Sequence, residues 1–269
     1  MTMLLTDKVA LVTGAASQKG MGFAAARKLA AQGAKVIVTD ISGESGQTLE
    51  QLHKRADAIS AGGGQAHALA LDVTNPLQIK SAITEATRLV GGIDILFSNA
   101  GIGRTGPFLD MSDEDWDISY RVNQKGMVNV CRAVIPGMIA RGGGSIILNS
   151  SMSGLSGIAD YTAYTMTKFA VIGLMKCLAD EFGKYNIRCN AVCPGNIATD
   201  MGLHEIAERA AHLGVSVADA RKVLESECAL GQMGEPDDVA NAVLYLASPL
   251  SSFISGVSLP VAGAMRQGI

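Results

Sequence analysis

The chain has 269 residues, of which 48% are hydrophobic and only 4% aromatic, so aliphatic side chains must fill a substantial core. It carries 22 Lys and Arg against 25 Asp and Glu, a net charge of −3, which together with the absence of any basic run argues against a nucleic-acid partner. No apolar stretch reaches the roughly 18 residues of a membrane-spanning helix.

The segment Met1–Asp7 is too short for a signal peptide and leads directly into Lys8–Thr13, an apolar, β-branched run without polar alternation. That pattern suits a strand covered on both faces. Gly14–Gly22 follows as G-A-A-S-Q-K-G-M-G, and the next residues read as a helix ending at Gly33. A strand, a glycine-rich turn and a helix N-terminus make a pyrophosphate site, because backbone can approach the ligand and free N–H groups point at it. Gly14, Gly20, Met21 and Gly22 are the expected contacts. A second strand, Lys35–Thr39, runs into Asp40 and Ile41. An acid there accepts from ribose hydroxyls and repels a 2′-phosphate, so NAD is expected over NADP. Lys19 is the dissenting residue, since it could reach such a phosphate.

A polar helix from about residue 45 to 60 precedes the strand Ala66–Leu71, which ends at Asp72 and Val73, candidates for the adenine edge. Asp72 could equally cap the next helix, Asn75–Val90. Strand Ile93–Ser98 leads to Asn99, Ala100 and Gly101, where small residues admit a ligand and Asn99 can tie strands together. Ser112–Arg141 is helical in pattern, with an acidic start that suits the dipole. Asn123 sits inside it, a poor mid-helix residue whose amide competes for backbone groups; a local kink that holds a water is expected. Strand Ser145–Ser150 delivers Ser151 at its carboxyl end.

A helix then carries Tyr164 and Lys168 to about Tyr185. The i, i+4 spacing puts both side chains on one face, one turn apart. A neighbouring cation favours the phenolate of a tyrosine, whose ordinary pKa is about 10. Tyr161 is a nearby decoy with no lysine four residues on. Strand Ile187–Val192 runs into Cys193, Pro194, Gly195, Asn196, Ile197, Ala198 and Thr199. Residues 200–230 break the strand–helix alternation with two short helices, where a substrate lid would lie. A helix from Glu235 to Ala247 and a strand Val257–Val261 close the chain. The five cysteines, Cys131, Cys177, Cys189, Cys193 and Cys228, are irregularly spaced, without the partners a metal site needs, and read as buried thiols of a reduced, cytoplasmic protein. Seven strands alternating with helices predict an α/β fold: one domain over residues 1–269, built on a doubly wound parallel seven-stranded Rossmann-type sheet with helices on both faces.

These pieces, in their order, resemble the short-chain dehydrogenase/reductase family over essentially the whole chain. They are Thr13-Gly14…Gly20-Met21-Gly22, Asp40, Asp72-Val73, Ser98-Asn99-Ala100-Gly101, Asn123, Ser151, Tyr164-x3-Lys168, Pro194-Gly195…Thr199 and Leu230–Pro236. The resemblance implies a nicotinamide cofactor, a catalytic tetrad of Asn123, Ser151, Tyr164 and Lys168, and a homotetramer or homodimer. Cofactor contacts implied on the second half of the chain are Tyr164, Lys168, Pro194, Gly195, Ile197 and Thr199. Two departures stand out. Five residues rather than the family's usual three separate Gly14 from Gly20, and Gly263-Ala264 replaces the usual Gly-Gly.

The implied reaction is hydride transfer between the nicotinamide and a secondary alcohol or ketone, with Tyr164 as general acid or base, Ser151 orienting the substrate oxygen, Lys168 assisting Tyr164 and the nicotinamide ribose, and Asn123 holding a water. Candidate pocket walls are Gly103–Phe108, Met152–Ile158, Asn196 and residues 200–230, with Arg104, His204, Glu205 and His212 as their charged or titratable members. The expected substrate is a small polyol, sugar or hydroxyketone. A hydroxysteroid or aryl ketone is the alternative, and a dinucleotide sensor without turnover the reading from another class. An enoyl-type reductase would need a wider Tyr–Lys spacing.

Overall fold

A computed structural model describes residues 3–42 and 47–265, apart from the side chains of a few residues in the helices, Glu205 and His212 among them. The predicted start of the second helix, near residue 45, also lies outside the described residues. Seven parallel strands form one sheet in the order β3-β2-β1-β4-β5-β6-β7. They are β1 (Val9–Thr13), β2 (Lys35–Asp40), β3 (Gln65–Ala70), β4 (Ile95–Ser98), β5 (Gly144–Asn149), β6 (Ile187–Pro194) and β7 (Ser258–Val261). The strand order reverses between β1 and β4, so the crevice above their carboxyl ends is the natural ligand site of such a sheet.

Helices cover both faces, as the unalternating strands require. α1 (Met21–Ala30), α2 (Gln47–Ala61) and α9 (Pro236–Ala247) bury Leu29, Leu52, Val243 and Leu246 against one face of the sheet. On the other face α3 (Pro76–Val90), α5 (Met127–Ala140) and α6 (Thr162–Phe182) bury Ile79, Val134, Met138 and Met175. Each such side chain contributes about 1.5–3 kcal/mol by leaving water. α1 ends as expected for a chain that must turn back: Gly33 takes a φ of +91°, which other residues avoid.

Several boundaries differ from the sequence reading, each for a local reason. β4 begins at Ile95 rather than Ile93, because Asp94 satisfies the Val9 N–H through its carboxylate at 2.9 Å. β6 runs on to Pro194, because β7 pairs with Cys193 and Pro194. The predicted helix Ser112–Arg141 is a continuous rod of three parts, α4 (Asp113–Ser119), a π-helical stretch Tyr120–Gly126, and α5. Ser112 and Asp115 cap its start reciprocally. The kink expected at Asn123 is this π stretch, a form frequent at functional sites. α6 ends at Phe182, and a short 3-10 turn reaches Tyr185. Residues 200–230 do form two helices, α7 (Asp200–Leu213) and α8 (Val217–Glu227). The cysteines are buried except Cys177. Met175 faces the sheet, and two residues on is about 200° around the helix, so Cys177 faces outward. Among the described residues no helix is long and apolar enough to cross a membrane.

Candidate active site

A groove of about 370 Å³ lies above the carboxyl ends of β1, β2 and β4, lined by Gly14, Gly20, Met21, Asp40, Ile41, Asp72, Val73, Asn99, Ala100 and Gly101, and by Tyr164, Lys168 and Thr199 from the far side. Its floor is backbone pressed on backbone. Gly14 has a φ of +68°, and a Cβ there would stand 2.8 Å from the Ala100 Cα. A Cβ on Gly22 would strike the Gly14 carbonyl oxygen. Asn99 locks this floor: its Nδ2 donates to the carbonyls of Thr13 (3.0 Å) and Gly14 (2.9 Å), and its Oδ1 accepts from Asn149 at 2.9 Å. The strand-tying expected of Asn99 is thus its position in the structure.

The lengthened glycine turn is ordered by its neighbours. Ala15 N–H donates to the Thr39 carbonyl at 3.1 Å, and Ala16 N–H donates to Asp40 Oδ2 at 2.9 Å. Gly20 then caps α1 with no side-chain acceptor, leaving first-turn N–H groups for a ligand anion. The two extra residues carry Ser17 outward, where its hydroxyl donates to Asp200 Oδ2 at 2.6 Å. Lys19 is exposed beside it. Arg55, which sequence reasoning did not single out, donates to the Ala16 carbonyl at 3.1 Å and lies over the Phe23 ring. Asp40 also accepts from Ile41 N–H at 2.9 Å; burial pushes its carboxyl above the ordinary value while the Ala16 and Ile41 N–H groups pull it back. Asp72 lines the groove, but its Oδ1 accepts from Thr74 N–H and Oγ1, both at 2.8 Å. The cap of α3 is Asn75 instead.

The opposite wall carries Tyr164 and Lys168, with Asn123 buried nearby. Lys168 is 3% exposed; its Nζ donates to the Asn149 carbonyl at 2.9 Å and lies 5.3 Å from the centroid of the Tyr164 ring. Burial lowers the Lys168 pKa to about 8, and burial likewise pushes the nearby Cys193 thiol up to about 11. Asn123 is fully buried. Its Oδ1 accepts from Ile102 N–H at 2.8 Å, and its Nδ2 donates to the Ile102 carbonyl at 2.9 Å and to Thr167 Oγ1 at 3.2 Å. Thr167, also unforeseen, donates in turn to the Tyr164 carbonyl at 2.7 Å. Both Nδ2 hydrogens of Asn123 are thereby engaged, so a water would be held by its carbonyl oxygens or its backbone in the π stretch.

A second cavity, about 240 Å³, opens beside the groove and is lined by Ser151, Tyr161, Tyr164, Asn196, Glu227 and Met265, among others. Tyr164 lines both spaces, and Pro194, Gly195, Ile197 and Thr199 wall the passage between them. Of the expected walls, Gly103, Thr105, Met152, Ser153, Ile158 and Asn196 do line the cavity. Arg104 turns instead to Asp115 at 3.7 Å, Phe108 packs edge-on against Trp116, and His204 is exposed. Leu224 and Glu227 bring in the expected 200–230 wall; Met265 lay outside the expected walls and enters only through folding of the C-terminal loop.

A switch-point groove of glycine backbone joined by a Tyr–Lys pair to a polar cavity defines a Rossmann-type oxidoreductase site. A family model described as "Enoyl-(Acyl carrier protein) reductase" matches residues 14–265, and the chain belongs to the short-chain dehydrogenase/reductase family. It is 39% identical over 264 residues to oxidoreductase UcpA of Escherichia coli O157:H7, covering 96% of this chain and 94% of that one. It is 39% identical to the 3-oxoacyl-[acyl-carrier-protein] reductase FabG of Thermotoga maritima, over 98% and 99% of the two chains. An L-rhamnose 1-dehydrogenase (NAD(P)(+)) of Azotobacter vinelandii is 37% identical over 98% of each. Among solved structures, a variant of actinorhodin polyketide ketoreductase with NADPH superposes with a TM-score of 0.89 at 30% identity, over 95% of this chain and 96% of that one. The chain is accordingly an oxidoreductase of the alcohol–ketone type that uses a nicotinamide cofactor.

Proposed function

We propose that the protein is a single-domain, NAD-dependent dehydrogenase or reductase of small polar secondary alcohols and ketones, such as polyols, sugars or hydroxyketones. The observation that carries this reading is Tyr164, which lines both the cofactor groove and the substrate cavity with the Lys168 ammonium 5.3 Å from its ring. The groove fits the cofactor: its floor has no room for Cβ atoms at Gly14 or Gly22, and Asp40 stands where the adenosine ribose would lie. The nicotinamide, when bound, supplies or accepts the hydride. Ser151 donates a hydrogen bond to the substrate oxygen and stabilises charge developing on it. Tyr164 Oη gives its proton to that oxygen in reduction and takes it back in oxidation. Lys168 supplies positive charge beside the phenol oxygen and a donor for the nicotinamide ribose. A water held by the π-stretch backbone at Asn123 would link Lys168 to solvent.

NAD is favoured by Asp40, whose carboxylate opposes a 2′-phosphate, although Lys19 and Arg55 stand within the same turn region. α7 and α8 act as the substrate lid. A cavity of about 240 Å³ falls below the ~300–1,000 Å³ of pockets for drug-sized ligands, which favours a small substrate over a hydroxysteroid. The sugar named for the rhamnose dehydrogenase relative agrees with this choice. The FabG relative supports a second reading, reduction of a 3-oxoacyl thioester. We also propose a cytoplasmic homotetramer or homodimer; outward-facing Met166 and Phe169 on α6, 56% and 46% exposed, suit a subunit contact.

The test is to follow reduced-nicotinamide absorbance with NAD and NADP in parallel, against polyols, sugars, hydroxyketones, a hydroxysteroid and an acetoacetyl thioester. Turnover with a polyol or sugar and NAD, reduced about 10³-fold in Tyr164→Phe, is the expected result. Normal turnover by Tyr164→Phe on every accepted substrate would sink the assignment of Tyr164. Tight NAD binding with no turnover at all would indicate the sensor.

A further inference from the structure

Among the described residues that line the substrate cavity, Glu227 is the one carboxylic side chain and no Lys, Arg or His joins it. It ends α8, partly buried, and is held in place from below: Asn196 Nδ2 donates to Glu227 Oε2 at 3.2 Å and to the Leu224 carbonyl at 3.1 Å. Asn196 thereby spends its donor hydrogens on fixing the carboxylate. Ser151, Tyr161 and Tyr164 supply hydroxyls to the same space, Thr105 and Ser153 two more, and among the described residues no cation lines it with Glu227. Arg104 and Lys168 are engaged elsewhere: Arg104 pairs with Asp115 at 3.7 Å, and Lys168 Nζ donates to the Asn149 carbonyl.

A carboxylate is an acceptor with about four lone-pair sites, of which Asn196 uses one. In a small, partly dehydrated cavity it attracts hydroxyl donors and repels a like charge more strongly than it would in water. Substrates that bear a carboxylate or phosphate near the reacting carbinol meet that repulsion with no cation among the described lining residues to offset it. A hydroxyl that fails to reach Glu227 leaves its lone pairs underused, so the group discriminates in both directions. We infer that Glu227, fixed by Asn196, is the specificity-determining residue of the cavity, accepting a hydrogen bond from a hydroxyl of a neutral polyhydroxylated substrate and rejecting anionic ones. This rests on the proposed alcohol–ketone reading and narrows its substrate class.

The experiment is steady-state kinetics of the wild type, Glu227→Gln and Glu227→Ala on erythritol, erythronate and the corresponding amino triol, with butan-2-ol as a secondary alcohol that needs no Glu227 contact. The wild type should favour erythritol over erythronate by about tenfold or more in kcat/KM, equivalent to roughly 1.4 kcal/mol. Glu227→Gln should erase most of that ratio by gaining on erythronate. Glu227→Ala should raise KM for erythritol about tenfold with kcat changed less than about twofold, a split that a general loss of folded enzyme would not produce. Turnover of butan-2-ol together with an erythritol-to-erythronate ratio unmoved by either variant overturns this inference and leaves the alcohol–ketone reading standing. A tenfold wild-type preference for the amino triol over erythritol overturns the neutral-substrate assignment in favour of a cation. Absence of turnover with butan-2-ol and all three polar probes removes both readings.

Discussion

The cofactor half and the substrate half of this molecule are built on different principles. Above β1, β2 and β4 the site is made of main chain: Gly14 against Ala100, and Asn99 clamped on the carbonyls of Thr13 and Gly14. Those strands are anchored in the two large cores on either face of the sheet. Over the substrate cavity side chains from α8, the loop after β6 and the C-terminal loop close the wall opposite the loops after β4 and β5. α7 and α8 share a small core of their own, made of Ala198, Ile206, Ala210, Ala220 and Met233. A groove of backbone can recognise one shared cofactor whatever the substrate. A side-chain wall on its own small core can be altered without disturbing the sheet, which is why the proposed selectivity is assigned there.

Lys168 belongs to the rigid half, and the largest expected effect is there. Lys168→Met should lower kcat/KM at least about 10²-fold, since both the charge beside Tyr164 and a cofactor donor are lost. The stability of the free protein should move the other way. The folded pKa is lowered to about 8 by burial, below the roughly 10.4 of an unfolded lysine. Between these values the unfolded chain holds a proton that the folded one has released, so stability rises with pH through that window and the burial penalty is fully present below it. The penalty at pH 7 is on the order of 3 kcal/mol at about 1.4 kcal/mol per pH unit. Urea unfolding of the cofactor-free protein at pH 7 and pH 10 should therefore show Lys168→Met at least as stable as wild type at pH 7, with the difference shrinking at pH 10. A wild type whose stability falls from pH 8 to 10, once compared with the variant to remove other groups, would contradict this.

How much of this could be read from the chain follows the same division. Strands such as β1 and β2 were legible as β-branched apolar runs ended by Gly or Asp, and the Tyr164–Lys168 pair by its helical spacing, whereas Ser151 and Asn123 joined that pair as a tetrad only through the family resemblance. Asn123 announced itself as an awkward mid-helix residue, yet its partners Ile102 and Thr167 and the π form of the turn depend on how the rod meets α6. β4 starts late because Asp94 substitutes a carboxylate for a backbone acceptor, a choice no hydropathy pattern encodes. Glu227 fell within the expected 200–230 wall, but its bond from Asn196, 31 residues earlier in the chain, forms only after α8 has folded over. The lengthened glycine turn is legible in the sequence, but the bond it lets Ser17 make to Asp200, 183 residues on, is not.

A middle-sized effect belongs to the join between rod and sheet. Asn123→Ala removes both partners of Ile102 and one of Thr167. With about 1–3 kcal/mol for each buried group left unpaired, a loss of roughly 3 kcal/mol is expected, which for a chain of this size lowers Tm by several degrees. Asn123→Asp should recover the bond from Ile102 N–H but not the two donations, and so fall between. A variant with unchanged Tm but lost activity would show that Asn123 serves the chemistry without bracing the rod.

The smallest effect tests whether the two halves are separable at all. Among the described residues, Asp200 at the start of α7 is bonded to the glycine turn by the Ser17 hydroxyl at 2.6 Å and more weakly by Lys19 N–H at 3.4 Å. Both contacts are exposed, and such bonds contribute on the order of 1 kcal/mol or less. Asp200→Ala should therefore leave Tm within about 2 °C of wild type. What should change is local opening: hydrogen exchange in α7 should speed up several-fold, because its small core alone then resists opening, while amides of β1 and β4 keep their protection. Ser17→Ala should reproduce the effect from the other side of the contact, and the double variant should add little, since both changes remove one interaction. If β1 and β4 lose protection along with α7, the lid and the sheet open as one cooperative unit, and a substrate wall free to vary over a fixed cofactor floor no longer describes this protein.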